Sequence, residues 1–279
     1  MSLRRTPRTL LVLLAVVVLP AAASAEPVKC KAIDKLPVTL GKRGVYCLTK
    51  SFKVKLATGN AIEVTGNDIV IDFGEHTVWN KTADNTAVGV YADQRSNVSV
   101  RNGTLVGFDR GVFMRDFLPH ETAVGGLVED LRVIDTTSSG ILVYGPGSTV
   151  RSSQVIRTGA QGIEVTGSGS RVLDCDVTDA SQPEGQAVGI ALKYADGGAA
   201  RDNRVHNVSS GNGQNTWGII VDNSDDVMVR GNDVSRPGTF GIAFTSSSGM
   251  YMDNQVYAAG TAFAGGGEPA GDTNHEPEP

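Results

Sequence analysis

One small residue followed by an apolar–x–apolar triplet recurs eight times along this chain, and no other feature constrains the fold as much. The copies are Ala61-Ile62-Glu63-Val64, Gly89-Val90-Tyr91-Ala92, Gly111-Val112-Phe113-Met114, Gly140-Ile141-Leu142-Val143, Gly162-Ile163-Glu164-Val165, Gly189-Ile190-Ala191-Leu192, Gly218-Ile219-Ile220-Val221 and Gly241-Ile242-Ala243-Phe244. They begin 28, 22, 29, 22, 27, 29 and 23 residues apart. Alternation with a period of two marks half-buried strands. Most intervals hold a second such strand, including Ile69-Val70-Ile71, Val98-Ser99-Val100, Arg171-Val172-Leu173 and Val227-Met228-Val229, and none holds a persuasive helical periodicity. A single coil of this kind cannot bury its own apolar face, so the coils must stack on one another. About eight coils at the ordinary strand spacing of about 4.8 Å predict an all-β solenoid roughly 35 to 40 Å long.

A second register supports the stacking. Asn203-Arg204-Val205, Asn232-Asp233-Val234 and Asn254-Gln255-Val256 occupy equivalent corners, with Asn102-Gly103-Thr104 related less closely. Inward asparagines there can bond one another and the backbone amides that a turn leaves without partners. Ser153 and Cys175 hold the same position, which makes Cys175 a small buried substitute in the column.

The ends differ from the repeat. Arg4, Arg5 and Arg8 precede an apolar run from Leu10 to Leu19 and the small-residue sequence Ala23-Ser24-Ala25. This is the pattern of a cleaved secretory signal peptide, too short in its apolar part to span a bilayer. The expected organisation is a signal peptide over 1–25, an N-terminal cap over 26–58, the solenoid over 59–262 and a disordered tail over 263–279. Export suits a disulfide between Cys30 and Cys47, which lie 17 residues apart. The expected location is periplasmic or secreted. Removing the three signal-peptide arginines takes the formal charge from -5 to -8. That balance argues against nucleic acid as a partner, because phosphate binding needs basic surface. The mature chain has no further apolar run of spanning length.

Several segments together carry a family resemblance: the cysteine-bounded opening with Gly44-Val45-Tyr46-Cys47-Leu48, then Ile69-Val70-Ile71-Asp72-Phe73-Gly74 and Asn97-Val98-Ser99-Val100-Arg101-Asn102-Gly103-Thr104. The chain resembles bacterial right-handed parallel β-helix repeat proteins of the pectin lyase-like superfamily. The resemblance covers residues 30 to 262 and implies a right-handed, single-stranded parallel β-helix. It does not imply one chemistry, since the scaffold carries several.

Alternation places the middle triplet residue, and the residue after the triplet, on the outer face. Candidate glycan contacts are therefore Tyr91, Asp93, Phe113, Asp116, Glu164 and Asp222, and the partner they suit is a polysaccharide or a cell-envelope glycan. Candidate catalytic groups are Arg115, His120, Tyr144 and Lys193. Arg115 would neutralise a sugar carboxylate, Tyr144 or Lys193 would abstract or donate a proton, and His120 would complete the transfer. Leu118-Pro119-His120-Glu121 resembles the Asp-Pro-His-Glu motif of mannuronan C5-epimerases, with Leu118 where that family has an aspartate. Two functions follow: a carbohydrate-binding or envelope scaffold, and a polysaccharide lyase or uronate C5-epimerase. No cofactor fingerprint or metal-ligand spacing is present. Calcium is compatible with the clustered acids, although no dedicated loop motif calls for it.

Overall fold

A computed structural model describes residues 30–116, 122–270 and 273–276. Every regular element among them is a strand, and all strands pair in parallel within one continuous 26-stranded sheet. The chain winds through three ladders, contributing a strand to each as it passes. The first ladder starts at Val38–Leu40 and Asn60–Val64, continues through the triplet strands, and closes with the later parts of Asp233–Thr245 and Gln255–Gly265. The second runs from Lys31–Ile33 to Glu268–Pro269, and the third from Phe52–Val54 to the opening part of Gln255–Gly265. The winding makes about nine turns rather than the expected eight. The extra turning comes from strands at both ends that lack the small-residue triplet.

Inside the first ladder, Ile141 pairs with Ile163, Ile163 with Ile190, Ile190 with Ile219 and Ile219 with Ile242. The first four are fully buried. Each such side chain contributes about 1.5 to 3 kcal/mol through removal from water, and only neighbouring turns supply the contact.

The small residue that opens each triplet has a steric reason. A Cβ built on Gly111, Gly140, Gly162, Gly189 or Gly241 would lie within 2.6 Å of both the carbonyl oxygen one turn up and a valine Cγ of the third ladder. For Gly162 those atoms are Gly189 O and Val177 Cγ1, each at 2.4 Å. The valine interior of one ladder thus reaches the backbone of the next only where no side chain intervenes.

At the corner between the second and third ladders the backbone turns through left-handed residues, among them Asn102, Asp130, Ser152, Asp174, Asp202 and Asp253, with φ between 48° and 61°. Asp and Asn tolerate that region better than other L-residues. The next residue points inward, so Gly103 rather than Asn102 holds the column position. Asn203 N and Nδ2 donate to Asn232 Oδ1 at 3.0 and 2.9 Å, and Asn232 makes the same pair of bonds to Asn254. Cys175 N donates to Asn203 Oδ1 at 3.0 Å. The Cys175 thiol is buried and unoxidised, and burial pushes its pKa up to about 12, which leaves it an unreactive member of the column.

Two expectations about the ends change. Residues 30 to 56 already carry strands of the winding, and the disulfide Cys30–Cys47 forms there with a Cα–Cα distance of 5.8 Å. The segment after 262, expected to be a disordered tail, carries on the coil where it is described. Glu268–Pro269 pairs with Gly249–Met252, and His275 bridges to Gln255. Asn274 Oδ1 accepts from Asn254 N and Nδ2 at 3.2 and 3.1 Å. The terminal polar residues thus repeat the column chemistry of the body. The signal-peptide segment 1–25 lies outside the described residues. Among the described residues no helix is long and apolar enough to cross a membrane.

Gly162→Ala should destabilise the fold by about 2 to 3 kcal/mol through overpacking. Asn232→Ala, which strips partners from buried amides on both sides, should cost on the order of 3 kcal/mol. Denaturant unfolding followed by far-ultraviolet circular dichroism measures both; an unchanged midpoint for either variant would remove the corresponding column as a source of stability.

Candidate functional site

The outer face of the first ladder is built from three columns. The middle column is made by the second apolar-triplet position: Tyr91 pairs with Phe113, then follow Leu142, Glu164, Ala191, Ile220 and Ala243 in register. Two residues further along each strand, Asp93 pairs with Arg115, and Tyr144, Thr166, Lys193 and Asp222 continue that column. The third column is the residue before each glycine: Arg110, Ser139, Gln161, Val188, Trp217 and Phe240.

Simple alternation assigns this third column to the interior, and for that reason sequence reasoning missed it. The tight glycine step moves it outward. Arg110 Cζ sits 5.3 Å over the Phe113 ring, and Trp217 packs on a small outer cluster of Val188, Ala191 and Ile220 that is separate from the core. The available signal was the repeated bulky residue directly before a glycine, as in Trp217-Gly218 and Phe240-Gly241.

The aromatic groups stand on consecutive turns. Ring centroids of Tyr91 and Phe113 are 5.7 Å apart, as are those of Phe113 and Tyr144, the latter pair edge to face. Trp217 and Phe240 stack at 6.0 Å with planes 20° apart. Between the two groups lies a polar cluster. Glu164, expected as an isolated outward carboxylate, has a side chain only 5% exposed, with Lys193 Nζ 2.8 Å from its Oε2 in a close ion pair. The Tyr144 hydroxyl donates a hydrogen bond to the same carboxylate. Burial, followed by the charge and hydrogen bond of Glu164, raises the Tyr144 pKa well above the usual phenol range, with Arg110 opposing weakly. The phenol of Tyr144 is therefore held in its neutral form.

The face gathers Tyr91, Asp93, Phe113, Arg115, Tyr144, Glu164, Lys193 and Asp222 as expected. Arg115 Nε lies 3.7 Å from Asp93 Oδ1. Asp116 is placed differently: it is buried and accepts from Thr122 N and Ala123 N at 3.2 Å, and from the Thr122 hydroxyl. Its carboxylate is committed to Thr122 and Ala123 instead of the outer face. His120 and its neighbours Leu118, Pro119 and Glu121 lie outside the described residues. Among the described residues no group of three or more His, Cys, Asp or Glu side chains is arranged to hold a metal ion.

Residues 139–268 match the family model for a right handed beta helix region. The chain is a right-handed parallel β-helix. No curated protein sequence matches it significantly. Among solved structures, the β-helix aligns with the enzymatically active domain of tailspike protein 2 from bacteriophage CBA120 at 14% identity and a TM-score of 0.58, over 88% of this chain and 43% of that one. A tailspike protein mutant of E. coli bacteriophage HK620, in complex with a pentasaccharide, aligns at 13% identity and a TM-score of 0.54, over 90% of this chain and 60% of that one. The β-helix thus spans about half the length of these tailspike chains, and likeness at this level establishes the fold alone. The periplasmic alginate epimerase AlgG aligns at 12% identity over 85% of this chain and 76% of its own, with a TM-score of 0.39 that has no bearing on chemistry.

The raised Tyr144 pKa has a pH consequence. The folded state keeps the phenol protonated where the unfolded chain ionises, so its contribution is complete below about pH 10 and is lost as pH rises above that value. Wild-type stability should fall in alkali, and Tyr144→Phe should flatten that fall. Phenolate absorbance during an alkaline titration should show one tyrosine that ionises only on unfolding, and that late step should vanish in the variant. A late step retained in Tyr144→Phe would assign it to another tyrosine.

Proposed function

We propose that the mature chain is an exported β-helix protein that binds a polysaccharide or cell-envelope glycan along the outer face of its first ladder. The observation that carries this reading is the row of Tyr91, Phe113 and Tyr144 rings on successive turns, set beside carboxylates, a guanidinium and an ammonium. Aromatic faces suit the apolar C–H faces of sugar rings, and the flanking polar groups suit their hydroxyls. The rings repeat at the turn spacing, so a linear ligand lying parallel to the solenoid axis meets the same kind of contact repeatedly. The HK620 tailspike, which shares the fold, is described in complex with a pentasaccharide. The signal-peptide pattern at the N-terminus supports export to an envelope or extracellular setting.

The engagement of Glu164 by Lys193 and Tyr144 supports binding over lyase or epimerase chemistry. Such a reaction needs a base beside the sugar C5 proton, whereas Tyr144 is held neutral and Glu164 is engaged by both Tyr144 and Lys193. Hydrolysis by Asp93 with Glu164 is disfavoured by distance. The two stand three turns apart along the ladder, about 14 Å, while paired glycosidase carboxylates lie about 5 to 9.5 Å apart.

Isothermal titration of the purified mature chain against soluble glycans tests the reading. Phe113→Ala should weaken binding about tenfold, or about 1.4 kcal/mol, with the circular dichroism spectrum unchanged. Absence of binding to every glycan, or an unchanged affinity in the variant, contradicts it. Release of products absorbing in the ultraviolet, or a changed epimer ratio by proton NMR, would replace it with the enzymatic reading.

A further inference from the structure

The outer face has a second aromatic group that the binding reading does not use. Trp217 and Phe240 stack at its C-terminal end, on an apolar base of Val188, Ala191 and Ile220. From the turn of Tyr91 to the turn of Phe240 the register runs through six steps, Tyr91 to Phe113, Leu142, Glu164, Ala191, Ile220 and Ala243, or about 29 Å. The two aromatic groups bracket the Tyr144–Glu164–Lys193 cluster.

The charges on this face are already matched among themselves. Arg115 lies beside Asp93, Arg110 Nη1 is 3.7 Å from Asp109 Oδ2, and Lys193 is held by a nearly buried Glu164. Drawing Lys193 away to neutralise a sugar carboxylate would strand the Glu164 carboxylate in a site with 5% exposure, a loss that a new ion pair does not offset. Glu63 and Asp222 add two more acids to the face. A polyanion would therefore meet acids in excess, with Arg110, Arg115 and Lys193 each beside an acid.

Resting on the carbohydrate-binding reading, we infer that the ligand is an uncharged oligosaccharide lying along the axis and long enough to reach both aromatic groups. One pyranose of an extended chain advances by about one turn spacing, so full occupancy of the seven levels takes roughly seven residues. Stacking at the two ends supplies the affinity, and the central cluster meets hydroxyls through the Tyr144 phenol oxygen, which accepts, and the Lys193 ammonium, which has donors beyond the one facing Glu164. Because few ions are displaced, binding should depend little on salt.

The test uses the mature chain with neutral gluco-, manno- and galacto-oligosaccharides of two to eight residues, alongside oligogalacturonates and oligomannuronates of equal length. Affinity for a neutral series should rise to about seven residues and then level off, and the uronates should bind at least tenfold more weakly. Trp217→Ala should abolish the gain from the last residues while leaving short ligands unaffected, and Tyr91→Ala should shorten the ligand from the other end. Tighter binding of uronates, or a length dependence unchanged by Trp217→Ala, overturns the inference and leaves carbohydrate binding standing. Failure of both series to bind overturns both.

Discussion

The approach of backbone to side chain at one corner sets the geometry of every turn. A glycine passes between a valine of the third ladder and the carbonyl of the turn above, at distances that a methyl group could not share. That step brings the three ladders into a closed cross-section and holds neighbouring turns in register. The isoleucine column behind it and the asparagine column at another corner are consequences of the same registration. Neither column exists unless each turn returns to the position of the last. The polar corner adds specificity: an asparagine with partners above and below fits only its own level, whereas apolar side chains tolerate sliding.

The same step creates the outer face. By turning outward the residue before each glycine, it gives the ladder a third exterior column, and through Trp217 and Phe240 that column becomes the second aromatic group. The middle column then lies between two flanking ones, which explains how Leu142, Glu164 and Ala191 point away from the core yet are buried. A buried carboxylate on an exterior face persists because Lys193 and Tyr144 both contact it. The cluster is consequently a fixed polar element between two aromatic ends, with its cation committed to an internal partner.

Much of this was legible in the residues. The triplet spacing gave the stacked turns, and Ile141, Ile163, Ile190 and Ile219 do align. Asn203, Asn232 and Asn254 marked a corner, and Cys175 was correctly read as part of it. What escaped was the part governed by backbone geometry or by contacts between turns. Strict alternation could not show that Trp217 faces outward. The burial of Glu164 depends on Tyr144 one turn below and Lys193 one turn above, and local sequence does not report those pairs. The burial of Asp116 goes with its hydrogen bonds to Thr122 and Ala123, which its neighbours in sequence do not reveal. The terminal coil was hidden because residues 263–276 are rich in Gly, Pro and charge, and only Asn274 carries the column signature.

The central claim is that each repeat adds one level of constant height, and inter-spin distances measure this directly. Ser99, Leu127, Thr149, Arg171, Ala199, Met228 and Met250 follow one another in register on the second ladder. Spin labels at Ser99→Cys with Met250→Cys, and at Thr149→Cys with Met250→Cys, should lie about 29 and 19 Å apart by double electron–electron resonance, a difference of two levels. Equal distances, or a difference far from about 10 Å, would contradict a solenoid in which every turn rests on the one before.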